Sequence, residues 1–109
     1  MKPETLNFYD RVYKVAKQIP YGKVTSYVAI AKYLGAKRSA RMVVYAMNGS
    51  TGKDVPAHRV VNKNGLLTGK HHFDGTNLMQ QLLESEGIKV IGGQIQGFER
   101  VFWCPSKEV

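Results

Sequence analysis

The stretch Pro56-Ala57-His58-Arg59-Val60 places two hydrogen-bonding side chains in a restricted backbone setting. The proline ring fixes one backbone angle, and the apolar residues that begin at Val60 are typical of a strand. The imidazole and the guanidinium between them can donate hydrogen bonds. Ala57 offers no nucleophile, so covalent chemistry has no starting atom there. The pattern predicts a rigid elbow that holds two donors at the start of a strand.

The other reactive side chains predict no second site. The spacing of His58, His71 and His72 matches no strong metal-ligand signature, and the chain has one cysteine. That residue, Cys104, has no histidine beside it in the sequence that could activate the thiol. We therefore expect an inert thiol, no metal and no cofactor. A single cysteine also excludes an internal disulfide, which is consistent with a reducing compartment.

Length and composition indicate one ordinary globular unit. The chain has 109 residues, of which 43% are apolar and 22% charged, enough for one core. We expect a single domain over residues 1–109 and a monomer. No apolar run approaches the roughly 20 residues of a membrane helix, and the N-terminus begins no hydrophobic signal region. These features predict a cytoplasmic protein without a membrane partner, associated with the nucleoid if its source is bacterial.

Positive charge is concentrated in one part of the chain. The formal net charge is +8, and residues 11–53 include nine basic side chains and no acidic one. A regional excess of this kind is the electrostatic signature of a polyanionic partner. A generally basic, solvated protein would have a more diffuse distribution.

Hydrophobic periodicity predicts three helices in the first half. Residues 5–19 carry apolar side chains at three- and four-residue spacing. Thr25 or Ser26 can cap a second helix over 27–34. After a short basic turn, a third helix covers residues 39–47. Two short helices joined by a brief turn are typical of a helix-turn-helix.

The third predicted helix has two different faces. Its apolar residues share one side: Ala40, Val43, Val44 and Met47. The residues that could meet a partner share the other: Arg38, Arg41, Tyr45 and Asn48. The first face would pack, and the second is either solvated or in contact with a ligand. Because the surroundings are basic, the pattern favours contact with nucleic acid.

The second half predicts smaller elements around this helical pair. In order, they are a hairpin with strands 60–61 and 66–67, a loop over 68–75, a helix with apolar residues from 78 to 83, and strands over 88–91 and 98–102. The predicted fold class is α+β, mostly α, with a small β wing beside a helix-turn-helix.

Several segments, taken in order, resemble one family. Residues 19–27 resemble the start of the DNA-binding domain of O6-alkylguanine-DNA alkyltransferases, and residues 39–47 resemble its recognition helix. Residues 56–61 and 84–87 resemble its active-site segment and supporting acid. In the family, a cysteine stands where this chain has Ala57. In this exchange the chain resembles the alkyltransferase-like members of the family, which have tryptophan or alanine at that position.

This resemblance implies a non-enzymatic DNA damage sensor. Such proteins bind duplex DNA that contains O6-alkylguanine through a helix-turn-helix in the minor groove, and they flip the modified nucleotide into a pocket. They leave the alkyl group in place and signal to nucleotide excision repair. The implied partners are therefore lesion-containing duplex DNA and nucleotide excision repair proteins. Ala57 cannot accept an alkyl group, so no transfer is expected.

The resemblance also implies roles for the DNA-binding residues. Arg41 matches an arginine that enters the base stack where the flipped base was, a role that suits a planar cation. Tyr27 matches a tyrosine that crowds the phosphate 3′ to the target nucleotide. Its residue type is equally consistent with a core aromatic whose hydroxyl is hydrogen-bonded. Arg38, Tyr45 and Asn48 are expected to contact DNA beside them.

The implied lesion pocket consists of Pro56, Ala57, His58, Arg59, Lys70 and Glu86. Without a thiol to activate, His58 and Glu86 are expected to satisfy each other structurally. Arg59 is expected to fix the elbow through backbone carbonyls. Lys70 falls where related proteins carry an arginine that stacks over the alkylated base. The small Ala57 side chain leaves room for bulky adducts.

Two other classes of function remain open from the sequence. A winged-helix transcription regulator would explain the basic helical face, but it has no use for the elbow at 56–59. The other class is a residual lesion-processing enzyme, either a transferase or a glycosylase. A role of His58 and Glu86 in activating water for hydrolysis is the alternative to their structural role. Binding to matched duplexes with guanine or O6-methylguanine distinguishes a regulator from a damage sensor. Mass spectrometry of DNA and protein distinguishes an enzyme from a damage sensor.

Overall fold

The structure, a computed structural model, describes residues 3–35, 40–49, 54–68 and 78–108. Four residues discussed above lie outside this part of the chain: Arg38, Lys70, His71 and His72. Within the described ranges, no helix combines the length and the apolar character that crossing a membrane requires.

Helix α1 spans Pro3–Ala16, so it begins two residues before the predicted start and ends three residues before the predicted end. A proline suits the first turn of a helix, where its missing N–H is not needed. At the other end, the Ile19 N–H donates to Ala16 O at 3.2 Å, three residues back. The residue before Pro20 disfavours helical backbone, which explains the early end. Ile19 is still only 2% exposed and belongs to the core.

Helices α2 (Tyr27–Tyr33) and α3 (Ala40–Asn48) are the predicted helix-turn-helix. The Ser26 hydroxyl accepts a hydrogen bond from the Ala29 N–H at 3.0 Å, so Ser26 is the N-cap of α2. Buried residues of both helices, with those of α1, form one hydrophobic cluster. The packing fixes α3 through its apolar face, as its sequence pattern predicted.

Strands β1 (Thr25–Ser26) and β2 (Val60–Val61) pair in parallel. The predicted turn over 62–65 is present, because the Gly65 N–H donates to Asn62 O at 3.0 Å. The predicted hairpin between residues 60–61 and 66–67 is wrong, because Leu66 forms its bridge with Gln94 and not with β2. Both valines of β2 are fully buried. A strand covered on both sides carries a continuous apolar run, which is typical of parallel pairing and lacks the alternation of a hairpin with one solvated face.

The C-terminal part contains five elements, in order α4 (Leu78–Ser85), β3 (Val90–Ile91), β4 (Gln94–Ile95), α5 (Phe98–Val101) and α6 (Pro105–Glu108). The predicted strand over 98–102 is wrong, since most of it is helix α5. Strand β3 pairs with β4 because Gly92 and Gly93, with φ of +60° and +75°, close a two-residue turn directly after it.

Strand β2 joins two cores. Val60 packs with residues of α1, α2 and α3, whereas Val61 packs with Val24 and residues of α4, β3 and β4. Consecutive strand residues point to opposite faces, so two residues are enough to serve both cores. Trp103, in a tail from which the sequence predicted nothing, is 5% exposed in the helical core. The backbone N–H of Trp103 donates to Val24 O at 2.7 Å.

Candidate nucleic-acid interface

The elbow is one 3₁₀ turn, Ala57–Arg59, directly before β2. The Ala57 N–H donates to Val55 O at 2.8 Å, and the Arg59 N–H donates to Pro56 O at 3.0 Å. The methyl group of Ala57 packs against the helical core. The two side chains that follow it both reach Glu86. The rigid elbow predicted from the sequence is therefore present.

A buried carboxylate holds both elbow side chains. Glu86, whose side chain is 4% exposed, places Oε2 2.6 Å from His58 Nε2. Arg59 donates to the same carboxylate from Nη2 at 2.9 Å and from Nε at 3.0 Å. The backbone N–H of Gly22 donates to Oε1 at 2.8 Å. The predicted contact between His58 and Glu86 is present, and the carboxylate fixes the arginine as well.

These contacts determine the ionisation of Glu86. Burial alone would raise the pKa of this carboxyl, because it disfavours the charged form. The hydrogen bonds from Arg59, His58 and the Gly22 N–H outweigh burial, and they hold the pKa of Glu86 below its ordinary value of 4.5. The carboxylate is therefore ionised at neutral pH, and its hydrogen bonds are charge-assisted.

Arg59 also reaches a turn that the sequence did not connect with the elbow. Its Nη1 donates to Ile19 O at 2.9 Å, which is the predicted type of carbonyl contact. Its guanidinium lies 5.8 Å from the centroid of the Tyr21 ring, and the Tyr21 hydroxyl donates to Ser85 O at 2.7 Å. Tyr21 was not predicted from the sequence as a site residue. Its hydrogen-bond partner is 64 positions away, so no local pattern could have indicated the contact.

A cavity of about 490 Å³ opens beside the elbow. The residues that line it are Lys17, Asp54, Val55, Pro56, His58 and Arg59. Three of the predicted pocket residues therefore face one hollow, whereas Ala57 and Arg41 are not among its lining residues. The use of this region for an extruded base stays a prediction.

The polar face of α3 is open to solvent. Arg41 is exposed, Tyr45 is 48% exposed, and Asn48 is partly buried. Among the described residues, neither the Arg41 nor the Tyr45 side chain forms a hydrogen bond or an ion pair. Both side chains are therefore available to a ligand.

Tyr27 lies in the core. Its side chain is 7% exposed and packs in the helical cluster, and its hydroxyl forms a hydrogen bond with the Thr68 side chain. Burial raises the pKa of Tyr27, and the bond to Thr68 opposes this only in part. Of the two interpretations of this residue, the structure contains the core aromatic. Its contact with a phosphate stays a prediction.

The described basic residues of the span 11–53 are exposed. None of them forms an ion pair, since the ion pairs among the described residues join Glu86 to His58 and to Arg59. The span carries nine basic and no acidic side chains, so its formal charge is +9. The rest of the chain carries seven basic and eight acidic side chains, so its formal charge is −1. The exposed members are Arg11, Lys14, Lys17, Lys23, Lys32 and Arg41. These exposed cations, among them Arg41 of α3, are thus suited to a polyanion.

No described group of three or more His, Cys, Asp or Glu side chains could hold a metal ion. Cys104 is partly buried and is not among the residues that line the cavity beside the elbow. Among the described residues, the site therefore consists of hydrogen-bonding and cationic side chains.

A helix-turn-helix with an exposed cationic second helix, fixed to a Pro-Ala-His-Arg elbow, defines a DNA-binding domain of the alkyltransferase type. The family described as 6-O-methylguanine DNA methyltransferase, DNA binding domain, matches residues 7–88, so the chain belongs to that family. Because Ala57 occupies the acceptor position, the chain is an alkyltransferase-like member.

Known relatives agree with this assignment. Alkyltransferase-like protein 1 of Schizosaccharomyces pombe is 38% identical over 84 residues, which are 76% of this chain and 78% of that protein. The crystal structure of S. pombe Atl1 with damaged DNA containing O6-carboxymethylguanine matches with a TM-score of 0.80 and 32% identity, over 94% of this chain and 98% of that one. The DNA base-flipping protein of Escherichia coli is 37% identical over 89% of this chain and 74% of its own length.

Transferases in the family are longer. The methylated-DNA–protein-cysteine methyltransferase of Methanosarcina acetivorans is 38% identical over 80% of this chain, but the match covers 55% of that enzyme. The chain thus spans about half the length of this relative.

Proposed function

We propose that this protein is a non-enzymatic sensor of O6-alkylguanine in duplex DNA. The observation that carries the proposal is a combination of two features. Arg41 on α3 is exposed and its side chain has no partner among the described residues, and the elbow keeps His58 and Glu86 but has Ala57 at the acceptor position. The S. pombe relative that has been crystallised with damaged DNA supports lesion binding.

In this proposal, the helix-turn-helix docks in the minor groove and the modified nucleotide leaves the stack. Extruding a base costs a few kcal/mol, so a protein group must fill the gap. Arg41 suits this role because a planar guanidinium can stack on bases and donate to the orphaned partner. The E. coli relative whose name is DNA base-flipping protein supports this step.

The alkyl group stays on the guanine. His58 and Arg59 are both bonded to Glu86, and Ala57 has no atom that could accept the group. The bound protein therefore marks the lesion for nucleotide excision repair. We propose that it acts as a monomer in the cytoplasm, on the nucleoid if its source is bacterial.

The test is a titration of two matched duplexes, one with guanine and one with O6-methylguanine at the same position. We expect tighter binding to the modified duplex and a steep loss of affinity with salt for both, because the basic face contacts phosphates. Equal affinities would favour the transcription regulator. Mass spectrometry after incubation should find DNA and protein unchanged, and loss of the methyl group or release of a base would overturn the proposal.

The small side chain of Ala57 predicts tolerance of large adducts. A methyl group occupies less space than a thiol-bearing side chain, so the region around the elbow should accept O6-benzylguanine as well as O6-methylguanine. The same titration with both adducts measures this. A sharp preference for the methyl adduct would contradict it.

A further inference from the structure

An apolar groove lies between α2 and the C-terminal elements, apart from the elbow. It has a volume of about 530 Å³. Val28 and Ala29 of α2 form one wall, and Phe98 and Phe102 form another. The two phenyl rings meet edge to face with centroids 5.4 Å apart. These four side chains are only partly buried, so the groove exposes apolar and aromatic surface to solvent.

The groove is on the opposite side of α2 from α3. Tyr27, Ile30 and Ala31 turn toward the cluster that contains the buried face of α3. At 3.6 residues per turn, Val28 and Ala29 project away from that side. A molecule in the groove would therefore not compete with DNA on α3.

Two lysines flank the groove from different elements. Lys32 continues the α2 wall, and Lys63 follows β2. Both are exposed, and within the described part of the chain neither ammonium group has a hydrogen bond or an ion pair. Glu99 is the acidic residue that also lines the groove. The rim thus carries an excess of positive charge around an apolar floor.

We propose that this groove binds a short acidic segment of another protein, with a large apolar side chain as anchor. The anchor would fill the space beside Phe98 and Phe102, and flanking carboxylates would pair with Lys32 and Lys63. A bare phosphate backbone would satisfy the lysines but leave the apolar floor uncovered, which favours a peptide over nucleic acid. The proposal does not depend on lesion recognition.

The probe is a short capped peptide with one phenylalanine and one leucine among aspartate and glutamate residues. Two controls replace the apolar pair by alanine or the acids by lysine. NMR titration of the full chain, with a duplex bound and without it, reports on the Val28 and Ala29 methyl groups. We expect shifts at these methyl groups for the acidic peptide in both states. Removal of the apolar anchors should weaken binding by about ten-fold or more.

Charge reversal at the rim makes the test specific. Lys32→Glu with Lys63→Glu should weaken the acidic peptide and strengthen the lysine peptide, whereas Lys14→Glu with Lys89→Glu, exposed elsewhere, should change neither. No shift at the groove methyls with about 1 mM peptide, the weak limit for such an interface, would overturn the proposal. Equal binding of both peptides, or displacement of the acidic peptide by duplex DNA, would also overturn it. Circular dichroism of each variant confirms that it is folded.

Discussion

The exposed face of α3 and the cluster around Glu86 each contain an arginine, but the two arginines work under different conditions. Arg41 is exposed and has no hydrogen bond or ion pair among the described residues. Arg59 donates to Glu86 and to Ile19 O, and its side chain is 17% exposed. A guanidinium without partners keeps all of its N–H donors for a ligand, whereas Arg59 already uses donors on Nε, Nη1 and Nη2 for bonds of the folded state.

This difference indicates that the chemistry of the elbow is structural, whereas the exposed side chains for a ligand lie on α3. The residues that attract most notice in the sequence, His58 and Arg59, are bonded to Glu86 and join the elbow to the Ile19–Gly22 turn. They hold the structure together. The surface left available for DNA is the exposed face of α3, whose residues form no distinctive sequence motif. Variants of each region should therefore affect different properties.

The largest effect is expected from Glu86→Ala. It leaves the Arg59 guanidinium without its buried counter-charge, and breaking such a pair typically costs about 3–5 kcal/mol. Urea unfolding followed by circular dichroism measures the loss. Glu84→Ala, which removes an exposed carboxylate two residues away, should stay within about 0.5 kcal/mol of the parent protein. Equal effects of the two variants would show that the cluster does not stabilise the fold.

Arg41→Ala should leave the free energy of unfolding nearly unchanged and weaken binding to the modified duplex. The loss should be about 1–3 kcal/mol of binding free energy if the side chain fills the stack. Lys14→Ala, which removes another exposed cation, should cost less and should affect modified and unmodified duplexes alike. If the two variants weaken binding equally, Arg41 is only a phosphate contact.

Acid should destabilise the protein through Glu86. Its pKa is lowered in the folded state, so the folded protein binds fewer protons than the unfolded chain in acid. The stabilisation is complete above the ordinary pKa of 4.5 and is lost as pH falls through the lower folded value. Unfolding free energy measured from pH 6 downward should therefore fall less steeply in Glu86→Gln than in the parent chain. Parallel profiles would assign the acid sensitivity to other carboxyl groups.

The smallest effect is expected from Tyr13→Phe. The Tyr13 hydroxyl donates to Ala46 O at 2.7 Å and so ties α1 to the C-terminal half of α3. Removal of this bond should cost about 1 kcal/mol of stability. Tyr45→Phe is the matched control, because the Tyr45 side chain is 48% exposed. Thermal unfolding of both variants measures the difference, and a larger loss for Tyr45→Phe would contradict the assignment.

Local patterns predicted the helical half well. The three helices, the Ser26 cap and the two faces of α3 follow from spacing within one element, so neighbours in sequence contain the information. The β elements were predicted less well. Val60-Val61 has the composition of a strand, but its partner β1 lies 35 positions earlier in the chain. A local sequence pattern does not indicate which distant segment is the parallel partner.

What the sequence by itself determined is the chemistry that is available: a basic span, an amphipathic α3, and an elbow without a nucleophile at Ala57. What only the tertiary structure decided is how those groups are used. Glu86 and Gly22 meet across 64 positions, so the bonds that occupy Arg59 depend on the packing of both cores around β2. Side-chain types are encoded residue by residue, whereas the pairing of buried charges is fixed only when distant segments fold together.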